Sequence, residues 1–118
     1  MLQKLKQSSG KIVGFKLSGN ITDEELRAFV ADIEKVVADE GRIRLFLTMN
    51  YPQTFELKAV WDDVIFWTRH IKDIERLAIV GQKEWEKWIE LFERPFVRTD
   101  VRYYSKSHLQ EAWTWLRS

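Results

Sequence analysis

The chain contains no cysteine, which excludes a disulfide framework and thiolate chemistry and suits a reducing cytosol. No segment approaches the ~20 apolar residues of a membrane-spanning helix. The opening "MLQKLKQSSGKIVG" also lacks the continuous apolar stretch of a signal peptide. The expected location is cytoplasmic, with the inner membrane face as a place of peripheral association. Imidazole is scarce: His70 and His108 stand far apart, with no Cys or His-Glu cluster beside either, so no metal site is expected. Gly14 and Gly19 do not precede a helix in a G-x-G-x-x-G pattern, and nucleophile-elbow spacing is absent. Asp62-Asp63 is the one pair that suggests acid–base chemistry. Adjacent helical residues point about 100° apart, however, and do not face a common substrate. No catalytic residue and no cofactor is therefore expected. Nucleic acid is not an expected partner either, because the formal net charge is only +1 and Tyr103 and Tyr104 fall on opposite faces of a strand.

What the chain does have is aromatic bulk, with six Trp, seven Phe and three Tyr in 118 residues. With 45% hydrophobic and 31% charged residues the composition is globular, and the length suits a single domain over residues 1–118. Charge is unevenly spread. Residues 1–20 carry Lys4, Lys6, Lys11 and Lys16 and no carboxylate, whereas residues 21–92 carry ten Lys/Arg against fifteen Asp/Glu. A basic N-terminal segment of this kind protects an edge strand or approaches an anionic partner.

Hydrophobic spacing divides the chain into alternating elements. "LQKLKQ" and "KIVGFKLSG" flank Ser8-Ser9-Gly10 as a β-hairpin. Thr22 and Glu25 have capping-box spacing, and Leu26, Phe29, Val30, Ile33, Val36 and Val37 continue as a helical stripe that Gly41 ends with a left-handed cap. "RIRLFLTM", "RLAIVG" and "DVRYYS" read as strands. Helices are expected at 55–72, at 83–93 before Pro95, and after Ser107, where Ser107 and Gln110 repeat the capping-box spacing and Leu109, Ala112, Trp113 and Leu116 share a face. The fold class is α/β: a mixed, mostly parallel five-stranded sheet, with the N-terminal hairpin adding the antiparallel strand and about four helices on its faces.

The order of "SSGKIVGFKLSGNITDEE", "RIRLFL", "AVWDDVIFWTRH", "ERLAIVGQKEWEKW" and "DVRYYS…LQEAWTWLRS" resembles the SpoIIAA-like family over nearly the whole chain. That family looks like the STAS domains and is also grouped with the CRAL-TRIO lipid-transfer domains. The resemblance implies a STAS-like, non-enzymatic module: an anti-sigma-factor antagonist, a transporter-associated regulatory domain, or a binder of lipid or another apolar ligand. STAS antagonists carry a phosphorylated Ser at the start of the helix after the central strand, in an Asp-Ser-Ser-Gly-like stretch. The matching region here reads "TMNYPQTFEL". It has neither that Ser nor a Gly, and Thr54 reads as a helix cap, with phosphorylation there as the alternative.

Helix 55–72 has two apolar strips. Leu57, Val60, Trp61, Val64, Trp67 and Ile71 make the core-facing one, and Phe55, Ala59 and Phe66 lie roughly opposite, among Asp62, Arg69 and His70. Exposed Phe55 and Phe66 would each forgo roughly 2 kcal/mol of burial at ~25 cal/mol per Å². A second copy of the chain, a neighbouring helix such as 83–93, or lipid would cover them. The expected site is an aromatic groove or lid in which Trp61, Trp67, Trp85, Trp88 and Phe92 form walls and Phe55 and Phe66 face the partner. Its expected partners are an apolar small molecule or lipid, a membrane surface met by helices 55–72 and 83–93, and a second copy in a homodimer. The competing expectation is a protein–protein regulatory module of the anti-sigma-factor-antagonist kind with no small-molecule ligand.

Overall fold

In the computed structural model, which describes residues 1–50, 71–81 and 99–118, five strands lie side by side in chain order. They are β1 (Leu2–Lys4), β2 (Ile12–Ser18), β3 (Ile43–Asn50), β4 (Ile74–Gly81) and β5 (Asp100–Ser105). β1 is antiparallel to β2, and β2 through β5 are mutually parallel. This is the mixed α/β sheet expected from the spacing. Two α-helices, α1 (Asp23–Glu40) and α2 (Leu109–Arg117), occur among the described residues. The expected helices at 55–72 and 83–93 lie outside them, except for Ile71 and Lys72, which belong to a 3-10 turn, Ile71–Asp73, that leads into β4. The first strand is shorter than "LQKLKQ" suggests. Beyond Leu5 the turn tightens until Ser9 and Ile12 exchange backbone hydrogen bonds of 2.8 and 3.0 Å around Gly10, whose φ of 58° suits glycine.

Strand alternation sorts the core into two layers. On one face Val13, Phe15 and Leu17 of β2, Leu45, Leu47 and Met49 of β3, and Leu77 and Ile79 of β4 pack with Leu26, Phe29 and Ile33 of α1. On the other face Phe46, Ala78 and Val80 meet Ala112, Trp113 and Leu116 of α2. Burial on both faces is why β3 and β4 read as nearly continuous apolar runs.

The capping box that opens α1 forms as expected. Glu25 N–H donates to Thr22 Oγ1 at 3.1 Å, and Thr22 N–H donates to Glu25 Oε1 at 3.3 Å. The second oxygen of Glu25 accepts the Leu2 N–H of β1 at 2.7 Å. The Leu2 N–H, followed by that of Thr22, holds the Glu25 carboxyl below its ordinary pKa. Gly41 ends α1 with φ 82° and ψ −113°. The φ is positive, as expected, but the ψ lies outside the left-handed helical well.

Trp113 seats α2. Its ring is buried and stacks on Phe46, with centroids 4.1 Å apart and planes 16° from parallel. The indole descends onto β2 at Gly14, where an added Cβ would stand 2.6 Å from Trp113 Cη2. At the other end of the helix, Arg44 Nη1 donates to the Leu116 carbonyl at 2.6 Å, and Arg76 Nη1 donates to that of Trp115 at 2.7 Å. Two cations on neighbouring strands thus satisfy carbonyls that a helix end leaves open, on the side its dipole favours. Between the pairs Ile43↔Ile74 and Arg44↔Arg76, β4 carries one extra residue, Glu75. This bulge aims Glu75 at Arg44 Nε, 2.8 Å away, and at Lys11 Nζ, 3.0 Å away. The Arg44 hydrogen bond is the main reason the Glu75 carboxyl sits below its ordinary pKa; burial opposes it and Lys11 adds to it.

Alanine at position 14 would gain about 0.5–1 kcal/mol of backbone preference over glycine. Overpacking against a rigid ring costs about 1–3 kcal/mol, so Gly14→Ala is expected to lower stability in urea denaturation. In a Trp113→Phe background, which lacks the clashing ring atoms, the same change should be near neutral or favourable. Because the folded pKa of Glu75 is lowered, its ion pairs stabilise fully above the ordinary carboxyl pKa of about 4.3. That stabilisation disappears as pH falls through the lowered folded value. Glu75→Gln should therefore cost about 0.5–1 kcal/mol near neutrality. It should also flatten the loss of stability as pH falls below the ordinary carboxyl pKa of about 4.3.

Candidate functional site

α2 begins near the carboxyl ends of the parallel strands and ends over Arg44 and Arg76 near their amino ends, so it runs against them. A nine-residue helix is narrower than the sheet beneath it, and a groove opens on each side.

On the hairpin side lies a cleft of about 340 Å³. Its floor is apolar: Phe46 from β3, Trp113 and Leu109 from α2, and Leu5 from the connection after β1. Its polar margin is built by register. Lys16 and Thr48 are direct partners across β2 and β3, and each follows by two positions the residue that supports Trp113, Gly14 on β2 and Phe46 on β3. All four therefore point to the α2 face. Gln7 completes the hairpin side, and Lys106 arrives from the 3-10 turn that links β5 to α2. Among the described lining residues there are two cations and no carboxylate.

The groove on the β5 side, about 410 Å³, has a different character. Two guanidinium groups approach the Trp115 ring, Arg102 at 4.6 Å and Arg76 at 5.3 Å from its centroid, and Tyr104 is tilted against it at 6.4 Å. Glu111 also lines this groove, so its charge is mixed.

A third cluster follows β5. Ser105 Oγ and Ser107 Oγ lie 2.7 and 3.1 Å from His108 Nδ1, and 2.9 Å from each other. All three belong to one turn, and Ser107 and His108 are exposed. The arrangement replaces the capping box expected from Ser107 and Gln110: α2 starts after His108 with no side-chain cap. The imidazole beside Ser107 takes up its hydroxyl, so these contacts order the turn. Among the described residues no group of His, Asp and Glu is arranged to hold a metal ion.

Trp113 is core, as its helical stripe predicts, and Tyr103 and Tyr104 fall on opposite faces of β5. Phe55, Trp61, Phe66, Trp67, Trp85, Trp88 and Phe92, together with Thr54, lie outside the described residues. The hairpin-side cleft was not expected. Its one trace in the sequence is Gly14 interrupting the alternation of β2, two residues before an exposed lysine. Among the described residues no helix is long and apolar enough to cross a membrane.

No curated protein matches the chain. Among solved structures, it is similar to an uncharacterized protein of the DUF3478 family with a SpoIIAA-like fold from Shewanella loihica PV-4. The TM-score is 0.67 at 22% identity, over 98% of this chain and 93% of that one. The likeness extends to the fold. The SpoIIAA-like family model matches residues 12–117, from β2 to the last turn of α2, and the chain therefore belongs to the SpoIIAA-like family.

Proposed function

We propose that this SpoIIAA-like domain is a non-enzymatic binding module that takes an apolar small molecule or lipid in the cleft between the N-terminal hairpin and α2. The observation that carries this reading is the apolar floor of Leu5, Phe46, Leu109 and Trp113 with a polar margin. It lies toward the carboxyl ends of parallel strands, where open α/β sheets hold their ligands. Association with membrane surfaces through residues 55–72 and 83–93, and a homodimer, belong to the same proposal and rest on the aromatic pattern of the sequence.

The groove on the β5 side favours a second reading. Arg102, Tyr104 and Trp115 are residue types that dominate binding energy at protein interfaces. They suit a regulatory module of the anti-sigma-factor-antagonist kind that docks on another protein without a small-molecule ligand.

Native mass spectrometry of freshly purified protein, with organic extraction of the same sample, separates the two. The expected result is an apolar ligand at near-stoichiometric occupancy in the wild type and its loss in Leu109→Arg, with unchanged circular dichroism. A ligand-free wild-type protein that also takes up no added fatty acid or alcohol would move the assignment to protein docking.

A further inference from the structure

The described margin of the cleft carries charge of one sign, which its apolar floor does not require. Lys16 is exposed although β2 is an interior strand, paired with β1 on one side and β3 on the other. Protection of a sheet edge by lysine explains Lys4 on β1 but not Lys16. Lys11, a third cation of the basic N-terminal segment, pairs with Glu75. Lys16 is instead aimed at the cleft, and Lys106, from a segment ninety residues later in the chain, lines the same cleft. Two like charges brought to one concave site by independent parts of the fold raise the local positive potential, and apolar walls focus it. The β5-side groove of the same helix places Glu111 with Arg102 and has no such single sign.

Resting on the binding reading above, we infer that the cleft selects a single-chain amphiphile with one anionic headgroup, a carboxylate or a phosphate monoester. Lys16 and Lys106 attract the headgroup, Thr48 and Gln7 supply uncharged hydrogen-bonding groups beside it, and the tail lies over Phe46 and Trp113. One chain is specified by size: about 340 Å³ is at the small end of the roughly 300–1,000 Å³ typical of ligand pockets.

The test is calorimetric titration of the full chain at low ionic strength with decanoate, decyl phosphate, decanol and inorganic phosphate. Each amphiphile is kept below the concentration at which it self-associates. Both anionic amphiphiles should bind about tenfold more tightly than decanol, the scale expected of two partly solvated charge pairs. Lys16→Glu combined with Lys106→Glu should abolish that advantage, so that neither anionic amphiphile binds more tightly than decanol, and Lys4→Glu should preserve it. Equal binding of decanol and decanoate would overturn the charge preference while leaving an apolar-ligand site in place. Inorganic phosphate binding as tightly as decyl phosphate would replace the amphiphile with a free anion. Absence of binding by all three decyl compounds would overturn both this inference and the reading it rests on. Capture by anionic vesicles without binding of any monomeric amphiphile would overturn this inference and the ligand-in-cleft part of that reading, leaving only its membrane-surface part.

Discussion

The seating of Trp113 on Gly14 and Phe46 is the contact on which one whole face of the sheet depends. A nine-residue helix is too short to hold itself together in water, so α2 exists because one large ring is driven into the sheet. Truncating a buried aromatic of this kind costs about 3–5 kcal/mol, a large share of the stability of an ordinary domain. The ring reaches that depth because β2 gives up a side chain at Gly14. The backbone cost of a strand glycine is offset many times over by what sits above it.

The two grooves follow from that placement. With the ring fixed between β2 and β3, and the last turn held by Arg44 and Arg76, the helix axis is determined at both ends. The sheet surface it leaves uncovered is then a consequence of geometry. The arginines are occupied in this role, one on a helix carbonyl and Glu75, the other on a helix carbonyl and the Trp115 ring. Positive charge near the hairpin-side cleft is therefore supplied by lysines, which act as compact, strongly hydrated point charges and do not impose the fixed fork of a guanidinium.

How far the sequence foretold this structure depends on the range of the interaction. α1 was legible from end to end, because Thr22, Glu25, the apolar stripe and Gly41 are local signals within one helix. β5 was legible to the residue, and the α2 stripe was legible because Ala112, Trp113 and Leu116 repeat at helical spacing. β4 starts two residues earlier than its apolar run suggests, since Glu75 looks like a loop residue until the bulge turns it toward Arg44 and Lys11. The start of α2 was misread because spacing does not reveal that an adjacent imidazole competes for the Ser107 hydroxyl. The cleft was illegible for a deeper reason: Leu5, Lys16, Thr48 and Lys106 become neighbours only through β2–β3 register and the return of the chain from β5 over the sheet.

Glu25 has a role in solution behaviour beyond starting a helix. β1 is the outer strand on its side of the sheet, and the carboxylate occupies its outward Leu2 N–H, one of the groups through which two copies would stack edge to edge. The charge that opens α1 thus also occupies one hydrogen-bonding group of the sheet edge. With its pKa lowered by the N–H groups it accepts from, that guard stays in place under acidity that neutralises ordinary carboxylates. A helix cap and the edge of the sheet thus share one carboxylate.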